Sequence, residues 1–563
     1  MRILSVNTNH DAAAVVLNDG EIECYYKEER LTKRKRDSIP LLSTIECVKN
    51  CGGSIDYVLT NTSTLITKEE YILYFDSLSR ISGIPVDAIL ESGRQHHLSH
   101  ASLSFYNSGF KEALCIVVDG EGSRFPGEMW GPGEISECES VYVCSYPCNF
   151  IPLFKNFKRC GTIGDFPYDE VAPDIDLRGT LNDVRKNFNC ECNYVCRMGG
   201  IENLYGTATR LINQHPLENG KTMGLSSYGE KTNNFPHFFK ETVGEVNEDY
   251  FVNSEDNLYP AYKPYYGKRI KEKVTPENYK LYADYAYEIQ KQTQEEFGNL
   301  IEKAVQRTGI KNVCIVGGYG MNVVANHYYL QRFPELEFYF EPLADDGGIP
   351  IGAAKLFHHK HNNDNTIRQL KDTFQHGRGY DISSYKGITS TVSDVAQLLY
   401  DNKSVAVFRG KSESGQRALG NRSILFNALH PQAKEIVNKI KNREWYRPFA
   451  GIVLEEDAPK YFDMGRIKSS PFMTICFPVK SDAIPGIIHV DNTCRIQTVS
   501  KEDGYLYELL DEFKRLSGHG ILLNTSFNLA GEPLVETPKD AFRTLNKSSL
   551  NYMWLEETSQ LFS

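Results

Sequence analysis

The sequence predicts an α/β domain over residues 1–357 followed by a smaller α+β domain over residues 366–563. Three observations support this fold class. Short apolar runs alternate with amphipathic stretches through the first part, which is the pattern of α/β folds. The polar run 358–365 has no apolar anchor and predicts a linker. After this run, one helical stretch is followed mostly by strands and loops.

The chain opens with three predicted strands, which are Arg2–Asn7, Ala12–Leu17 and Glu21–Tyr26. The turn Asn18-Asp19-Gly20 between two alternating runs strongly indicates a hairpin. A first hairpin whose turn carries polar residues is typical of actin-like and sugar-kinase-like ATPases, in which that turn approaches phosphates.

Periodicity and end signals predict the later elements. The predicted helices are Leu41–Asn50, Lys68–Ser82, a stretch from His96, Tyr279–Ala304, Val323–Leu330 and Val392–Tyr400. The predicted strands are Ala113–Val118, Asn312–Val316 and Val405–Arg409. Residues 125–275 have weak periodicity, and we interpret them as an insertion. No internal repeat is visible in the sequence.

Two candidate sites lie near the first hairpin. In Asn9-His10-Asp11-Ala12, a His beside an Asp suits a general base, although ordinary turn capping explains the same residues. The basic run Lys33–Arg36 follows the third strand closely. It is interpreted equally well as a solvated face or as a source of cations, such as Lys35, that reach a phosphate.

Three distant segments supply a candidate metal site. His96 and His100 have the i, i+4 spacing that places two imidazoles on one helix face. Asp119 ends an apolar run, and Asp346 precedes a glycine pair. Two imidazoles and two or three carboxylates suit Fe(II), Mn(II) or Zn(II). His97 points elsewhere on such a helix and is left out of the ligand set.

A glycine cluster follows the strand Asn312–Val316 and precedes a helical stretch. It contains Gly317, Gly318 and Gly320 and ends at Asn322. Glycines let a backbone approach a nucleotide, and a helix N-terminus favours phosphate. A lone glycine cluster is weak evidence, but the strand before it and the helix after it favour nucleotide binding.

The second half is dense in cations among glycine, proline and aromatic residues. They are Arg409, Lys411, Arg417, Arg422, Lys441, Arg443, Arg447 and Arg495. Arg grips phosphate through two parallel hydrogen bonds, so such a set favours a highly anionic ligand over surface ion pairs.

Charge, hydropathy and cysteine spacing argue against several classes of protein. The net charge of −11 does not favour a basic nucleic-acid binder, although a local basic groove stays open. No apolar run of about 18 residues predicts a membrane span, and the first residues resemble a strand rather than a signal peptide, so we expect the cytoplasm. The 14 cysteines lack zinc-finger spacing and are expected to be free thiols.

At these motifs the chain resembles the ATP-dependent O-carbamoyltransferases of nodulation-factor (nodulation protein U type), cephalosporin and aminoglycoside (nebramycin) biosynthesis. The matching segments are Asn9–Ala12, Glu29–Thr32 with Lys35, His96–Ala101, Asp119-Gly120, Lys221–Leu225, Gly317-Gly318, Asp346–Gly348, Gly352–Ala354, Arg417–Gly420, Arg447–Ala450, Arg495 with Gln497-Thr498, and Asn524–Asn528.

The resemblance implies an actin-like (ASKHA) first domain and a YrdC-like second domain. It implies that carbamoyl phosphate and ATP, with Mg(II) on the nucleotide, form carbamoyl-AMP in the second domain. An acceptor hydroxyl then attacks the carbamoyl carbonyl in the first domain. The expected acceptor is an alcohol on a small molecule, sugar or antibiotic.

The resemblance also implies residue roles. It places a metal, Fe(II) by likeness, on His96, His100, Asp119 and Asp346. It places His10, with Asp11, beside the acceptor hydroxyl, and Lys35 against the intermediate. The expected contacts to carbamoyl phosphate and ATP are Arg417, Lys441, Arg447, Met473, Arg495, Asn524, Ser526 and Asn528, besides Gly317, Gly318 and Asn322.

Residues 125–275 match the family pattern loosely, and Gln416 stands where the family pattern has proline. Because the loosely matching region should shape the acceptor pocket, the acceptor stays open. The alternatives are a threonylcarbamoyl-type modifier of tRNA, a non-catalytic ATP-binding actin-like protein, and a carbamoyltransferase acting on a hydroxymethylated DNA base. A homodimer is also left open.

Overall fold

The structure is a computed structural model of the chain. It describes all residues except 63–67, 126–133, 161–188, 193, 197–198, 213–214, 216, 234, 236, 247–273 and 371–374. The chain forms two compact units, one of Met1–Glu91 with Lys371–Ser563 and one of Ser92–Leu370. These units differ from the division at the run 358–365, because the first 91 residues group with the C-terminal part. The division into domains 1–357 and 366–563 stays a prediction.

The first unit begins with a five-stranded sheet. Its strands are β1 (Arg2–Thr8), β2 (Ala13–Asn18), β3 (Glu21–Lys27), β4 (Tyr57–Thr62) and β5 (Leu90–Glu91). The spatial order is β3-β2-β1-β4-β5, with β1 antiparallel to β2 and parallel to β4. Asp19 and Gly20 have φ values of 48° and 87°, the left-handed pair of a tight hairpin turn. The predicted hairpin is therefore confirmed.

Within the part of residues 1–91 that the structure describes, three α-helices accompany this sheet, namely α1 (Glu28–Thr32), α2 (Leu41–Asn50) and α3 (Lys68–Ser82). The predicted bounds of α2 and α3 are confirmed. Leu4, Val6 and Val16 from the sheet share one buried core with Cys47 of α2 and Leu78 of α3. This burial of one helix face holds the two helices on the sheet.

The second unit contains a seven-stranded sheet. Its strands are β6 (Glu112–Val118), β7 (Arg124–Phe125), β8 (Glu134–Ser145), β9 (Asn149–Cys160), β10 (Val195–Cys196), β11 (Asn312–Val316) and β12 (Glu337–Phe340). The order is β10-β9-β8-β6-β11-β12, and β7 pairs with β8. The hairpin of β8 and β9 lies within the region interpreted as an insertion, so part of that region extends the sheet.

The two sheets share one topology. Strands β9-β8-β6-β11-β12 repeat the order of β3-β2-β1-β4-β5, and corresponding neighbours pair in the same direction. A duplicated sheet of this order is the actin-like fold that was predicted. No repeat is visible in the sequence, because different apolar residues can occupy corresponding buried positions in two strands of the same kind.

The described residues of the second unit form six α-helices. They are α4 (His96–Ser108), α5 (Ile201–Leu211), α6 (Asn219–Ser226), α7 (Tyr279–Thr308), α8 (Val323–Arg332) and α9 (Ile349–Asn362). Helix α7 extends beyond its predicted end at Ala304 and stops before Gly309, whose φ of 72° suits a helix C-terminus.

The C-terminal part is α+β, as predicted. Its nine strands are β13 (Ile388–Thr389), β14 (Val405–Phe408), β15 (Arg422–Asn427), β16 (Ala450–Leu454), β17 (Cys476–Pro478), β18 (Thr493–Val499), β19 (Ile521–Ser526), β20 (Tyr552–Leu555) and β21 (Gln560–Phe562). The order is β13-β21-β20-β14-β15-β19-β16-β18-β17. The helices are α10 (Val392–Tyr400), α11 (Ala433–Lys441), α12 (Ala458–Tyr461), α13 (Tyr505–Ser517) and α14 (Pro538–Lys547).

This nine-stranded sheet is buried on both faces. Val405 and Val407 of β14 join a core with α10 and α13, whereas Ala406 and Phe408 join a second core with α14. Successive residues of a strand point to opposite faces, so β14 contributes to both cores. A mixed sheet covered in this way fits the expected YrdC-like fold.

The prediction of a linker at residues 358–365 is wrong. Helix α9 continues to Asn362, and His358 and His359 are only 4% and 2% exposed. The reason is local pairing, because Nε2 of His358 lies 3.1 Å from the Asp364 carboxylate and Nδ1 of His359 lies 2.6 Å from the Asp364 carbonyl oxygen. His359 also stacks on Tyr106 at 4.1 Å.

No helix among the described residues is long and apolar enough to cross a membrane. The 12 cysteines with described side chains are all free thiols, as expected.

Removing the Asp364 carboxylate should destabilise the end of α9. Partial burial raises the pKa of Asp364, but Thr366, Arg368 and His358 lower it more, so it lies well below its ordinary value. Its stabilising effect is therefore complete above the unfolded pKa of about 4 and is lost as the pH falls through the lower folded pKa. We expect Asp364→Ala to lower the thermal midpoint at pH 7 by about 2–8 °C.

Calorimetry measures this shift, with Asn365→Ala at the neighbouring exposed position as the control. The difference from the wild type should shrink below about pH 4. Equal midpoints for the wild type and Asp364→Ala at pH 7 would contradict this account.

Candidate functional site

The four predicted metal ligands come together in the second unit. His96 and His100 lie on the first turns of α4, Asp119 directly follows β6, and Asp346 precedes α9. Nε2 of His96 lies 3.3 Å from a carboxylate oxygen of each Asp, and Nε2 of His100 lies 3.2 Å from Asp346. One donor atom from each residue lies within 4.8 Å of all the others, and all four residues are buried.

This geometry fits a metal ion. Metal bonds of about 2.0–2.2 Å place neighbouring donor atoms roughly 3–3.5 Å apart, and the three His–Asp distances of 3.2–3.3 Å lie in this range. The buried Nε2 of His96 has no hydrogen-bond partner among the described residues, although two carboxylates are close. Two imidazoles with two carboxylates suit Fe(II), Mn(II) and Zn(II) alike.

A close helix crossing brings these ligands together. A Cβ on Gly352 of α9 would lie 1.9 Å from the carbonyl oxygen of Ser99 in α4, so only glycine fits there. The hydroxyl of Ser102 donates to the Gly352 carbonyl oxygen at 2.8 Å. The start of α9, just after Asp346, can therefore lie against the helix face that carries His96 and His100.

The electrostatics of the cluster follow from opposite charges in a buried place. Burial and the Asp346 carboxylate raise the pKa of Asp119, but the imidazoles of His96 and His100 lower it more, to about 2. Burial lowers the pKa of His96, but Asp346 and Asp119 raise it well above its ordinary value. Cations are thus strongly favoured between the two carboxylates.

His97 lies outside the cluster. Its Nδ1 lies 2.8 Å from the hydroxyl of Ser140 on β8, and burial, with the charge of His96, lowers its pKa well below the usual value. Lys155, which forms a buried ion pair with Glu137, also donates to Ser140 at 3.3 Å. His97 therefore attaches α4 to the sheet.

The glycine cluster positions Asp119. Gly317 has a φ of 90°, and a Cβ there would lie 2.4 Å from the Val118 carbonyl oxygen, so the end of β11 approaches the end of β6 closely. The N–H of Gly318 donates to Asp119 at 2.9 Å. Asn322 caps α8 by accepting from the Ala325 N–H at 3.1 Å. Nucleotide binding by Gly317, Gly318 and Asn322 stays a prediction.

Glu202, on the first turn of α5, was missed by sequence reasoning. A Cβ on Gly318 would lie 3.1 Å from Asp119 and 3.5 Å from Glu202, which places the two carboxylates beside the same glycine. Burial and the charge of Asp119 raise the pKa of Glu202 well above its ordinary value. No local motif marks this residue in the loosely matching region.

In the first unit, His10 and Asp11 form a pair. Nδ1 of His10 lies 2.7 Å from an Asp11 oxygen, and the other Asp11 oxygen lies 3.6 Å from the Nζ of Lys27. The His10 side chain is 41% exposed, whereas that of Lys27 is 2% exposed. Asn9 caps the turn by accepting from the Asp11 N–H. Asn9 thus caps the turn as the capping interpretation expects, whereas a general-base role for His10 stays a prediction.

Lys441 of the first unit lies among polar groups and three other cations. Its ammonium, at the end of α11, donates to both oxygens of Asn528 at 2.9 Å and to the Ser526 hydroxyl at 3.2 Å, besides the Ser526 carbonyl oxygen. Burial lowers the pKa of Lys441 well below its ordinary value, and the charges of Arg443, Arg447 and Lys35 add to this. Three predicted contacts, Lys441, Ser526 and Asn528, thus form one cluster.

Arg443, Arg447 and Arg495 lie beside this cluster. Burial and the charges of Arg447 and Arg495 lower the pKa of Arg443, and burial, with Arg447, lowers that of Arg495 to about 10. Arg443 donates to the Pro448 carbonyl oxygen at 2.8 Å and stacks on Phe449 at 4.1 Å. Arg443 therefore holds the segment that carries Arg447.

Strand pairing explains why these residues are dispersed in the sequence. Arg495 of β18 and Asn524 of β19 are both in register with Ala450 of β16, so they lie in one row across the sheet. The Asn524 amide donates to the Ala418 carbonyl oxygen at 3.0 Å, next to Arg417. Met473 is buried and has a φ of 58°. It belongs to the same small apolar core as Ala450, the central residue of this row.

Comparison with family models decides the class of this protein. Residues 61–355 match the model described as carbamoyltransferase N-terminus, and residues 396–560 match that described as carbamoyltransferase C-terminus. This chain belongs to the carbamoyltransferase family. It is therefore a transferase enzyme, and the resemblance inferred from the motifs is confirmed.

Relatives of the carbamoyltransferase include nodulation proteins. Nodulation protein NolNO of Sinorhizobium fredii is 27% identical over 96% of this chain and 77% of its own length. Nodulation protein U of Rhizobium fredii is 35% identical over 40% of this chain and 39% of its own length. Uncharacterized protein sll1178 of Synechocystis is 26% identical over 97% of this chain and 94% of its own length.

Among solved structures, full-length HypF in its phosphate- and nucleotide-bound form is similar to this carbamoyltransferase over 65% of the chain and 56% of its own. The identity is 12% and the TM-score 0.37.

A methyl group at Gly352 should weaken metal binding by the carbamoyltransferase. Gly352→Ala forces α4 and α9 apart because of the 1.9 Å contact with Ser99, so the donor atoms lose their spacing. We expect the affinity for Zn(II) or Fe(II), measured by competition with a chromophoric chelator, to fall at least about tenfold.

Gly220→Ala on α6 is the matched control, since its Cβ meets nothing within 4 Å. That variant should bind metal as the wild type does. Unchanged affinity in Gly352→Ala would show that the crossing does not set the donor spacing.

Proposed function

We propose that this carbamoyltransferase is ATP-dependent and carbamoylates a hydroxyl group. The observation that supports this best is the set of partly buried arginines around the buried Lys441, within the region that matches the carbamoyltransferase C-terminus. Like charges held together in a buried place are costly, and an anionic ligand offsets that cost. Carbamoyl phosphate and ATP are both anionic.

The first step would form carbamoyl-AMP. One water and one ATP convert carbamoyl phosphate into carbamoyl-AMP, phosphate and pyrophosphate. Arg417, Arg447 and Arg495 would bind the phosphates, and each charge-assisted hydrogen bond contributes about 1.5–3 kcal/mol. The benefit is a better leaving group, because AMP leaves a mixed anhydride readily.

Lys441 would act mainly by orienting the side chains of Ser526 and Asn528. Its ammonium already donates to Ser526 and Asn528, so it fixes those two side chains at the rim of the cation set. The buried Oδ1 of Asn524 and Nε of Arg495 have no partner among the described residues, and each offers one group to a ligand.

In the second step an acceptor hydroxyl attacks the carbamoyl carbon, and AMP leaves. His10 would take the hydroxyl proton on Nε2, because its Nδ1 is held by Asp11. Lys27, whose Nζ lies 3.6 Å from the other Asp11 oxygen, would help to orient this carboxylate against Nδ1 of His10. General base catalysis of this kind is worth about 100- to 10,000-fold. Lys35 would contact the intermediate.

The cluster of His96, His100, Asp119 and Asp346 would hold a divalent metal, and we propose Fe(II). Such an ion supplies a positive charge that binds phosphate and polarises a carbonyl. The Asp119 side chain is fixed by the Gly318 N–H, so its oxygen is oriented before any ion arrives.

The acceptor class is proposed as an alcohol on a small molecule, sugar or antibiotic. The net charge of −11 does not favour an RNA or DNA acceptor. A tRNA acceptor or a hydroxymethylated DNA base would show binding that weakens steeply with salt.

One experiment tests the proposal. The purified chain is incubated with ATP, carbamoyl phosphate and a panel of alcohols, and the products are analysed by mass spectrometry. One added carbamoyl group on any alcohol, together with AMP and pyrophosphate, supports the proposal. ATP binding without any dependence on carbamoyl phosphate would instead identify a non-catalytic ATP-binding protein.

His10→Asn should separate the two steps. Without the imidazole the proposed general base is lost, so carbamoyl transfer should fall by at least about 100-fold. Carbamoyl-phosphate-dependent exchange of labelled pyrophosphate into ATP should stay within about twofold of the wild type, which makes it the internal control. Normal transfer by this variant would remove His10 from the mechanism.

Lys441→Ala and Arg447→Ala should block formation of the adenylate. Each removes one of these cations, and Lys441→Ala also removes the ammonium that donates to Ser526 and Asn528. We expect pyrophosphate exchange to fall by at least about tenfold. Lys439→Ala, exposed on the same helix, is the matched control. Wild-type exchange by the Arg447→Ala variant would exclude Arg447 from the site.

A further inference from the structure

Arg30 is a buried cation within an otherwise partly exposed basic segment. It lies on α1 and is 5% exposed. Its guanidinium donates to the carbonyl oxygen of Gly415 at 2.7 Å and also to that of Glu413. Both acceptors belong to the same compact unit as Arg30, although they lie more than 380 residues away in sequence.

The acceptors belong to the loop that leads to Arg417. This loop joins β14 to β15, and its residues 412–415 are buried. The two carbonyl groups that Arg30 binds flank Ser414, and the second is two residues before Arg417. The guanidinium therefore fixes the direction in which the chain enters the Arg417 position.

The Glu413 side chain fixes the other end of the loop. One carboxylate oxygen accepts from the N–H groups of Leu419 at 2.7 Å, Asn421 at 2.9 Å and Arg422 at 3.3 Å. Glu413 is fully buried, and Arg30 lines the same small cavity. Arg30 and Glu413 thus hold the loop on both sides of Arg417.

Helix α1 is itself anchored, so Arg30 is a fixed donor. Glu28 accepts from the N–H groups of Leu42 at 3.0 Å and Ser43 at 2.7 Å, which ties α1 to α2. Lys33 forms an ion pair with Asp540 on α14. Because both contacts hold the helix in place, the Arg30 guanidinium can fix the position of the Glu413 and Gly415 carbonyl groups.

We propose that Arg30 is a positioning residue for adenylate formation, which acts by holding the 412–420 loop so that Arg417 faces the phosphates. This inference rests on the proposed function. Without the guanidinium, two buried carbonyl groups lose their donor and the approach to Arg417 is released. Lys cannot replace Arg here, because a single ammonium lacks the planar fork that reaches two carbonyl oxygens.

The test uses Arg30→Lys and Arg30→Met, with Arg80→Lys and Arg80→Met as matched controls. The side chain of Arg80 is 78% exposed and lies in the same unit. Carbamoyl-phosphate-dependent exchange of labelled pyrophosphate into ATP gives kcat and KM, and calorimetry gives the thermal midpoint. We expect exchange kcat/KM to fall at least about tenfold in both Arg30 variants. Both Arg80 variants should match the wild type.

A double-mutant cycle separates positioning from general destabilisation. Arg417→Met is measured alone and combined with each Arg30 variant. If Arg30 acts through Arg417, its substitution should cost less than about threefold further once Arg417 is absent. Additive losses in the cycle would overturn the inference, whatever the thermal midpoints are. Should Arg30→Met fail to fold, Arg30→Lys decides the question in the same cycle.

The two proposals fail in different ways. Absence of carbamoyl-phosphate-dependent exchange in the wild type and the Arg80 variants would overturn the proposed function. Exchange in the wild type with unchanged exchange in both Arg30 variants would overturn only the role of Arg30.

Discussion

The close crossing of α4 and α9 is the constraint on which the candidate metal cluster depends. Gly352 lets the two helix backbones approach at Ser99, and the ligands follow from that approach. His96 and His100 occupy one face of α4, while Asp346 lies at the start of α9. Asp119 reaches the same place because Gly317 lets the ends of two strands approach. The candidate ligands come from three segments that are far apart in sequence. Their spacing is therefore determined by the backbone contacts between α4, α9 and the ends of β6 and β11.

The first unit concentrates positive charge where burial makes it costly. Burial alone lowers the pKa values of Lys441, Arg443 and Arg495, and their mutual repulsion lowers them further. Oxygens of Ser526 and Asn528 partly compensate Lys441. An anionic ligand would offset the remaining cost, which supports the proposal that phosphate groups bind at these cations. The same low dielectric would strengthen any hydrogen bond from these cations to a phosphate.

Sequence reasoning succeeded where local patterns determine the outcome and failed where distant contacts do. Helices α2 and α3 were predicted with correct bounds, because their periodicity and ends are local. The prediction of a linker at residues 358–365 was wrong, because His358 and His359 are polar in sequence but pair with Asp364 in the structure. The shared topology of the two actin-like sheets was also not visible in the sequence, because the alternation of buried residues does not specify which apolar residue stands at each position. Arg30 was given no role and Glu202 was missed, because their partners lie far away in sequence.

The sequence by itself determined the family and the types of group available: two histidines at helical spacing, aspartates at strand and helix ends, and many arginines among glycine and aromatic residues. The tertiary structure alone decided which of these groups meet. Register across β18, β16 and β19 places Arg495 and Asn524 in one row, and helix crossing places Asp346 beside His96. The physical reason is that strand pairing and helix packing join segments whose separation along the chain leaves no local pattern.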